Sequence, residues 1–116
     1  MIQILVESIE SYNIYLKKVP EGCQSIADLL RGDNVHEALT LILQFSEGVT
    51  WLTDMNAKIN ELGIQNDLQI DKIHEFLNEV NQGLFIQDYI VVADMFEYEI
   101  KPFFKECTLY DLKEII

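Results

Sequence analysis

The chain has 116 residues, 49% of them hydrophobic and 24% charged. That is one domain of ordinary size, 1–116, able to bury a core of its own and too apolar to be disordered. Twenty acidic residues against eight basic ones give a formal charge of −12, which repels phosphate backbones and anionic lipid heads and sets nucleic acid and membrane surfaces aside as partners.

Ile2, Leu5, Ile9, Tyr12, Leu16, Val19, Cys23, Ile26 and Leu30 recur at alternating steps of three and four. That spacing is the apolar seam of a helix packed on other helices, and it predicts a first helix over 3–31. Pro20 interrupts the backbone hydrogen bonds but not the seam, so a kink is expected there. Gly32 supplies a left-handed stop, with Arg31 complementing the helix dipole before it.

A second helix follows after a tight turn. Asn34 and Glu37 have the spacing of a capping box, with Asp33 as the alternative cap. Its seam reads Ala38, Leu41, Phe45, Gly48, Leu52, Met55, Ile59, Leu62, and Gly63 closes it. Gly48 on that seam implies close approach by a neighbouring backbone or bulky side chain. After the loop 64–67, a third helix carries Ile70, Ile73, Leu77, Val80 and Leu84, widened by Phe76, with Gly83 as its stop. A fourth carries Ile86, Tyr89, Ala93, Phe96, Ile100, Phe103, Cys107 and Tyr110 and is bent by Pro102. Thr108 and Asp111 then suit the cap of a short final helix with Leu109, Leu112 and Ile116 on its apolar side; the alternative is that the fourth helix continues past a bend. The expected fold is all-α: an antiparallel up-down-up-down four-helix bundle with kinked first and last helices and a short C-terminal helix.

Several apolar residues overflow the seams: Leu39, Ile42 and Leu43 on the second helix, Ile90, Val91 and Val92 on the fourth, and Trp51 beside its seam. They widen the core or form an interface, either a homodimer face or a groove for a partner helix. Charge bears on the choice. Residues 73–100 hold no Lys or Arg but carry Glu75, Glu79, Asp88, Asp94, Glu97 and Glu99; residues 32–57 likewise hold only Asp33, Glu37, Glu47 and Asp54. Acid-rich faces beside surplus apolar surface suit a basic amphipathic helix, although a solvated helix face has the same composition.

Catalytic constellations are not legible. Asp33-x-x-His36 and Asp71-x-x-His74 resemble half of a di-iron set, but both aspartates sit at helix starts, both histidines lie off the seams, and the seams hold no glutamate. There is no glycine-rich phosphate loop and no HExxH. No cofactor, catalytic residue or metal ligand is assigned. Cys23 and Cys107 are far apart, belong to no CxxC pair and fall on seam positions, which suits a reducing cytoplasm. The N-terminus has no basic n-region, and no apolar run reaches the ~20 residues of a membrane span.

Two segments, EGVTWL at 47–52 and DYIVVADMFEYEIKPFF at 88–104, resemble those of small, uncharacterised, acidic helical-bundle proteins of bacteria. The resemblance implies an all-helical domain of unknown function and adds no activity. In size, acidity and helical content the chain is also similar to flagellar-export chaperones, without a shared motif. The expected function is therefore a non-enzymatic protein-interaction module, adaptor-like or chaperone-like, cytoplasmic, binding a basic or amphipathic segment of another protein. The candidate contacts are Trp51, Val91, Glu97 and Tyr98. A metal-dependent bundle enzyme and a purely structural homodimer are the alternatives.

Overall fold

A computed structural model describes residues 2–114. They form four helices and no strand. Helix α1 spans Ile2–Arg31 and α2 spans Val35–Glu61. Helix α3 spans Ile70–Phe85. The fourth is composite: α4, Tyr89–Met95, passes through a π-helical stretch, Phe96–Ile100, into α5, Lys101–Lys105. A single 3₁₀ turn, Leu112–Glu114, follows an irregular segment. Helix α1 packs along both α2 and the composite fourth helix, and α3 packs mainly on α4. One hydrophobic cluster takes buried residues from all of them.

On α1 the seam is buried from Ile9 through Leu30, while Ile2 stays exposed and Leu5 is half-buried. On α2 half of the expected seam rotates by one residue. Ala38, Phe45, Leu52 and Ile59 are buried as expected, but the positions between them are Ile42, Val49 and Asn56, not Leu41, Gly48 and Met55. A step of three and a step of four both keep a residue on one helix face. What selects Asn56 over Met55 is a polar partner, Tyr110, whose hydroxyl accepts from Asn56 Nδ2 at 2.8 Å.

Several expected helix ends are corrected. The left-handed residue after α1 is Asp33 (φ 61°), not Gly32. Asn34 N–H donates to the Leu29 carbonyl at 2.9 Å, which closes the end in a Schellman turn. The Asn34 side chain turns back to the Gly32 carbonyl instead of capping α2, so no capping box with Glu37 forms. Gly63 does take φ 91° after α2. Gly83 does not stop α3: it is buried within the helix, and the left-handed residue is Gln87 (φ 58°), with Asp88 N–H donating to the Gly83 carbonyl. Asp88 then caps α4 by accepting from Val91 N–H at 3.2 Å.

The π-helical stretch answers Pro102. A proline ring clashes with the carbonyl four residues back and brings no N–H. Inserting one residue into the preceding turn lets Lys101 N–H bond the Phe96 carbonyl five residues back. The insertion also resets the register. Ile100 is buried as expected, but Phe104 follows it into the core while Phe103 and Cys107 are only half-buried, and Ile86 lies exposed in the turn before α4. Thr108 caps nothing; its carbonyl accepts from Asn66 Nδ2 at 2.9 Å. Ile116 lies outside the described residues.

Candidate functional site

The irregular segment after α5 is held over the bundle by polar contacts. Asn13 Nδ2 donates to the Tyr110 carbonyl and Asn13 Oδ1 accepts from the Tyr110 N–H, both at 3.0 Å. The Tyr110 ring enters the core edge-on against Tyr12, 4.9 Å between centroids. Its hydroxyl joins a ring of three bonds: Asn56 Nδ2 donates to Tyr110 Oη, Tyr110 Oη donates to Asn60 Oδ1 at 3.2 Å, and Asn60 Nδ2 donates to Asn56 Oδ1 at 3.2 Å. Tyr12 Oη beside it is buried without a partner. Burial pushes the Tyr12 hydroxyl above its ordinary value and Tyr110 up to about 12, so both stay neutral near pH 7. These groups are structural in kind: apart from the Tyr12 hydroxyl, each is bonded to another part of the chain.

A second polar cluster ties α1 to the π-helical stretch. Arg31 pairs with Asp94 at 2.8 Å and with Glu97. Gln24 donates to Glu97 at 3.1 Å and accepts from Lys101 Nζ at 2.8 Å. The Arg31 guanidinium lies 5.7 Å from the Tyr98 ring centroid. The hydrogen bonds from Arg31 and Gln24 hold the Glu97 carboxyl below the usual carboxylate range. Glu97 and Tyr98 therefore gather around Arg31, and the charge of Glu97 is already balanced by this chain. Tyr98 keeps 65% of its surface exposed and Val91 47%.

Trp51 belongs to a different neighbourhood. It meets Tyr15 of α1 edge-on at 6.1 Å. Tyr15 in turn lies over Gly48, where an added Cβ would fall 1.6 Å from the phenol oxygen. This is the close approach that the position of Gly48 implied. From Gly48 a shallow cleft of about 260 Å³ opens between α1 and α2, with Tyr15, Val19, Ile26, Leu41 and Phe45 as apolar lining. Gly22, Lys18 and Gln44 complete its rim. The sequence reading missed Tyr15, Gly22, Leu41 and Gln44 as members of one site. The available signal was two glycines on adjacent helices beside an off-seam Tyr and Trp.

The overflow residues divide. Ile42 and Val92 are buried, whereas Leu39, Leu43, Trp51, Ile90 and Val91 are exposed. Of thirteen exposed large hydrophobic side chains among the described residues, eight fall in the two stretches without Lys or Arg, 32–57 and 73–100. They include Phe85, which is 89% exposed at the end of α3. Among the described residues no group of three or more His, Cys, Asp or Glu side chains converges as metal ligands would, and no helix is long and apolar enough to cross a membrane. Both cysteines are free thiols. Burial raises Cys23 to about 12 and Cys107 to about 11, which keeps both as poorly nucleophilic thiols.

The protein family described as a domain of unknown function (DUF8042) matches residues 7–108. That is nearly the whole described chain, and the chain belongs to this family. No curated protein and no solved structure matches it.

Proposed function

We propose that this family member is a non-enzymatic protein-interaction module, a single up-down-up-down four-helix unit bent at Pro20 and Pro102, that works in a reducing cytoplasm. It binds a basic, amphipathic segment of another protein. The observation that carries this reading is the coincidence of exposed apolar side chains with cation-free stretches of chain. Apolar surface attracts the greasy face of a helix, and surplus carboxylates attract Lys and Arg flanking that face. Exposed Leu39, Leu43 and Trp51 share α2 with Glu37, Glu47 and Asp54. Exposed Ile90 and Val91 stand beside Asp88. Of the two cations that border the first stretch, Arg31 and Lys58, Arg31 is already paired with Asp94 and Glu97. A homodimer through these faces would bring two like-charged surfaces together, each from a chain of −12, which costs energy that a basic partner recovers.

A pair of synthetic helices tests this. Both place leucine at every third and fourth position; one fills the remaining positions with lysine, the other with glutamate. The chain has one tryptophan, Trp51, so its fluorescence reports binding without a label. The lysine peptide is expected to bind at least ~10-fold more tightly than the glutamate peptide. The difference should shrink as salt rises from about 0.05 to about 0.5 M, where the screening length falls below the spacing of surface charges. Equal affinity for the two peptides, or binding of neither, overturns the reading.

A further inference from the structure

We propose that the cleft between α1 and α2 is the seat of that segment, and that it takes the apolar side chains of one amphipathic helix whose basic flank faces α2. This rests on the interaction-module reading and adds its location, its orientation and the chemistry of its occupant. The first support is Gly22. A glycine inside a helix costs about 1 kcal/mol relative to alanine, and such a residue normally makes room for a neighbour. Gly48 does so for Tyr15. Gly22 does not: a Cβ built there meets nothing within 4 Å. Nothing within the chain uses the space that Gly22 leaves on the cleft rim. An external helix lying along the cleft would use it, because a bare backbone permits closer approach than any side chain.

The second support is size. At about 260 Å³ the cleft falls below the ~300–1,000 Å³ typical of small-molecule and cofactor sites. It suits a few side chains inserted from a helix passing over it. The lining matches such knobs, since Val19, Ile26 and Phe45 are core residues whose edges form the floor.

The third support is charge, which fixes both the occupant and its orientation. The α2 side lies within the stretch free of Lys and Arg and carries Glu47 beside Gly48 and Glu37 a few turns earlier. The α1 side contributes Lys18 to the rim. A helix with Lys or Arg along the flank nearer α2, and a neutral or acidic flank over Lys18, satisfies both sides. A second copy of this chain fits worse, because with twenty acidic residues against eight basic ones it offers Glu37 and Glu47 far fewer cations than a lysine-rich helix does.

The lysine peptide described above is the probe, and three variants decide the proposal. Gly22→Leu fills the cleft from a position with open space around it, so the fold is retained and its melting temperature unchanged or raised while affinity falls at least ~10-fold. Gln44→Phe fills the same cleft from the exposed face of α2 and is expected to do likewise, which keeps the test intact if Gly22→Leu perturbs α1. Lys18→Glu removes the rim cation and is expected to tighten the lysine peptide ~3-fold or more at low salt. If wild type binds the peptide and both cleft-filling variants bind it equally well, this location is wrong while the module reading stands. If Lys18→Glu weakens binding or leaves it unchanged, Lys18 does not border the bound helix and the charge argument for the cleft fails. If wild type does not bind, the module reading itself fails and takes this one with it.

Discussion

Tyr110→Ala is expected to lower the free energy of unfolding by about 3–5 kcal/mol, and Tyr12→Phe, one contact away, to raise it by roughly 1 kcal/mol. The two tyrosines face each other edge-on, yet their hydroxyls have opposite standing. Tyr110 Oη lies inside a closed ring with Asn56 and Asn60. Asn56 is only 1% exposed, so losing Tyr110 leaves an amide donor in the core with no water to replace its partner, on top of the emptied aromatic volume. Tyr12 Oη is buried with no hydrogen bond of good geometry, Asn56 being the polar side chain that bears on it, so removing it removes a desolvation cost at little loss of bonding. Tyr110→Phe isolates the polar part of the effect and should cost about 1–3 kcal/mol. Urea denaturation followed by circular dichroism measures all three. For a domain of this size Tyr110→Ala should also lower the melting temperature by more than ~10 °C. A stabilising Tyr110→Phe would contradict the hydrogen-bonded ring.

The same tyrosines give the alkaline limb of stability a sign. Tyr12, Tyr15 and Tyr110 are all raised above their ordinary value, first by burial. The folded chain therefore holds these protons more tightly than the unfolded chain does. Their contribution is intact below about pH 10, the unfolded tyrosine value, and is lost as pH rises toward the folded values. Tyr110, raised to about 12, loses its share over that window.

The second large effect is expected at Gly83. Gly83→Val should destabilise the protein by about 2–3 kcal/mol, although valine is the better helix former. A Cβ at position 83 would sit 2.6 Å from Val92 Cγ2. Val92 is fully buried on α4, and a β-branched side chain has few rotamers to escape into. The collision has to be relieved by moving α3 away from α4. Gly22→Ala is the matched control: it gains helix propensity with open space around the new methyl group and should stabilise by about 1 kcal/mol. Thermal melts of the two variants should move in opposite directions. A tolerated Gly83→Val would mean that α3 and α4 do not pack at this point as described.

The all-helical class was legible because four seams repeat with a three-four rhythm that no strand pattern imitates. Finer placement failed where two choices were equally apolar or where a polar contact decided. On α2 the run Ala38–Leu43 is apolar on nearly every face, so periodicity alone does not choose between Leu41 and Ile42. Met55 looks the better core residue than Asn56 until Tyr110, more than fifty residues away in sequence, supplies the bond that buries the amide. Just past Pro102 the core position falls to Phe104 and not Phe103, because a π turn adds a residue that no hydrophobic period encodes, whereas Tyr110 is buried as expected. Residue type points to Gly32 and Gly83 as helix stops, whereas Asp33 and Gln87 take the left-handed positions. The exposure of Val91, Tyr98 and Trp51 matched their place off the seams. Their grouping did not follow from sequence, since Trp51 joins Tyr15 across α1 and α2 while Tyr98 joins Arg31.

Titration of the lysine peptide into isotopically labelled protein, followed by backbone amide NMR, tests the binding account at residue level. The chain has five glycines, whose amide signals stand apart from most others. Binding in the α1–α2 cleft should move Gly22 and Gly48 progressively, together with the Trp51 indole, while Gly63, in the turn after α2, stays in place. Shifts confined to Gly63, or a spectrum that does not change as peptide is added, would contradict it.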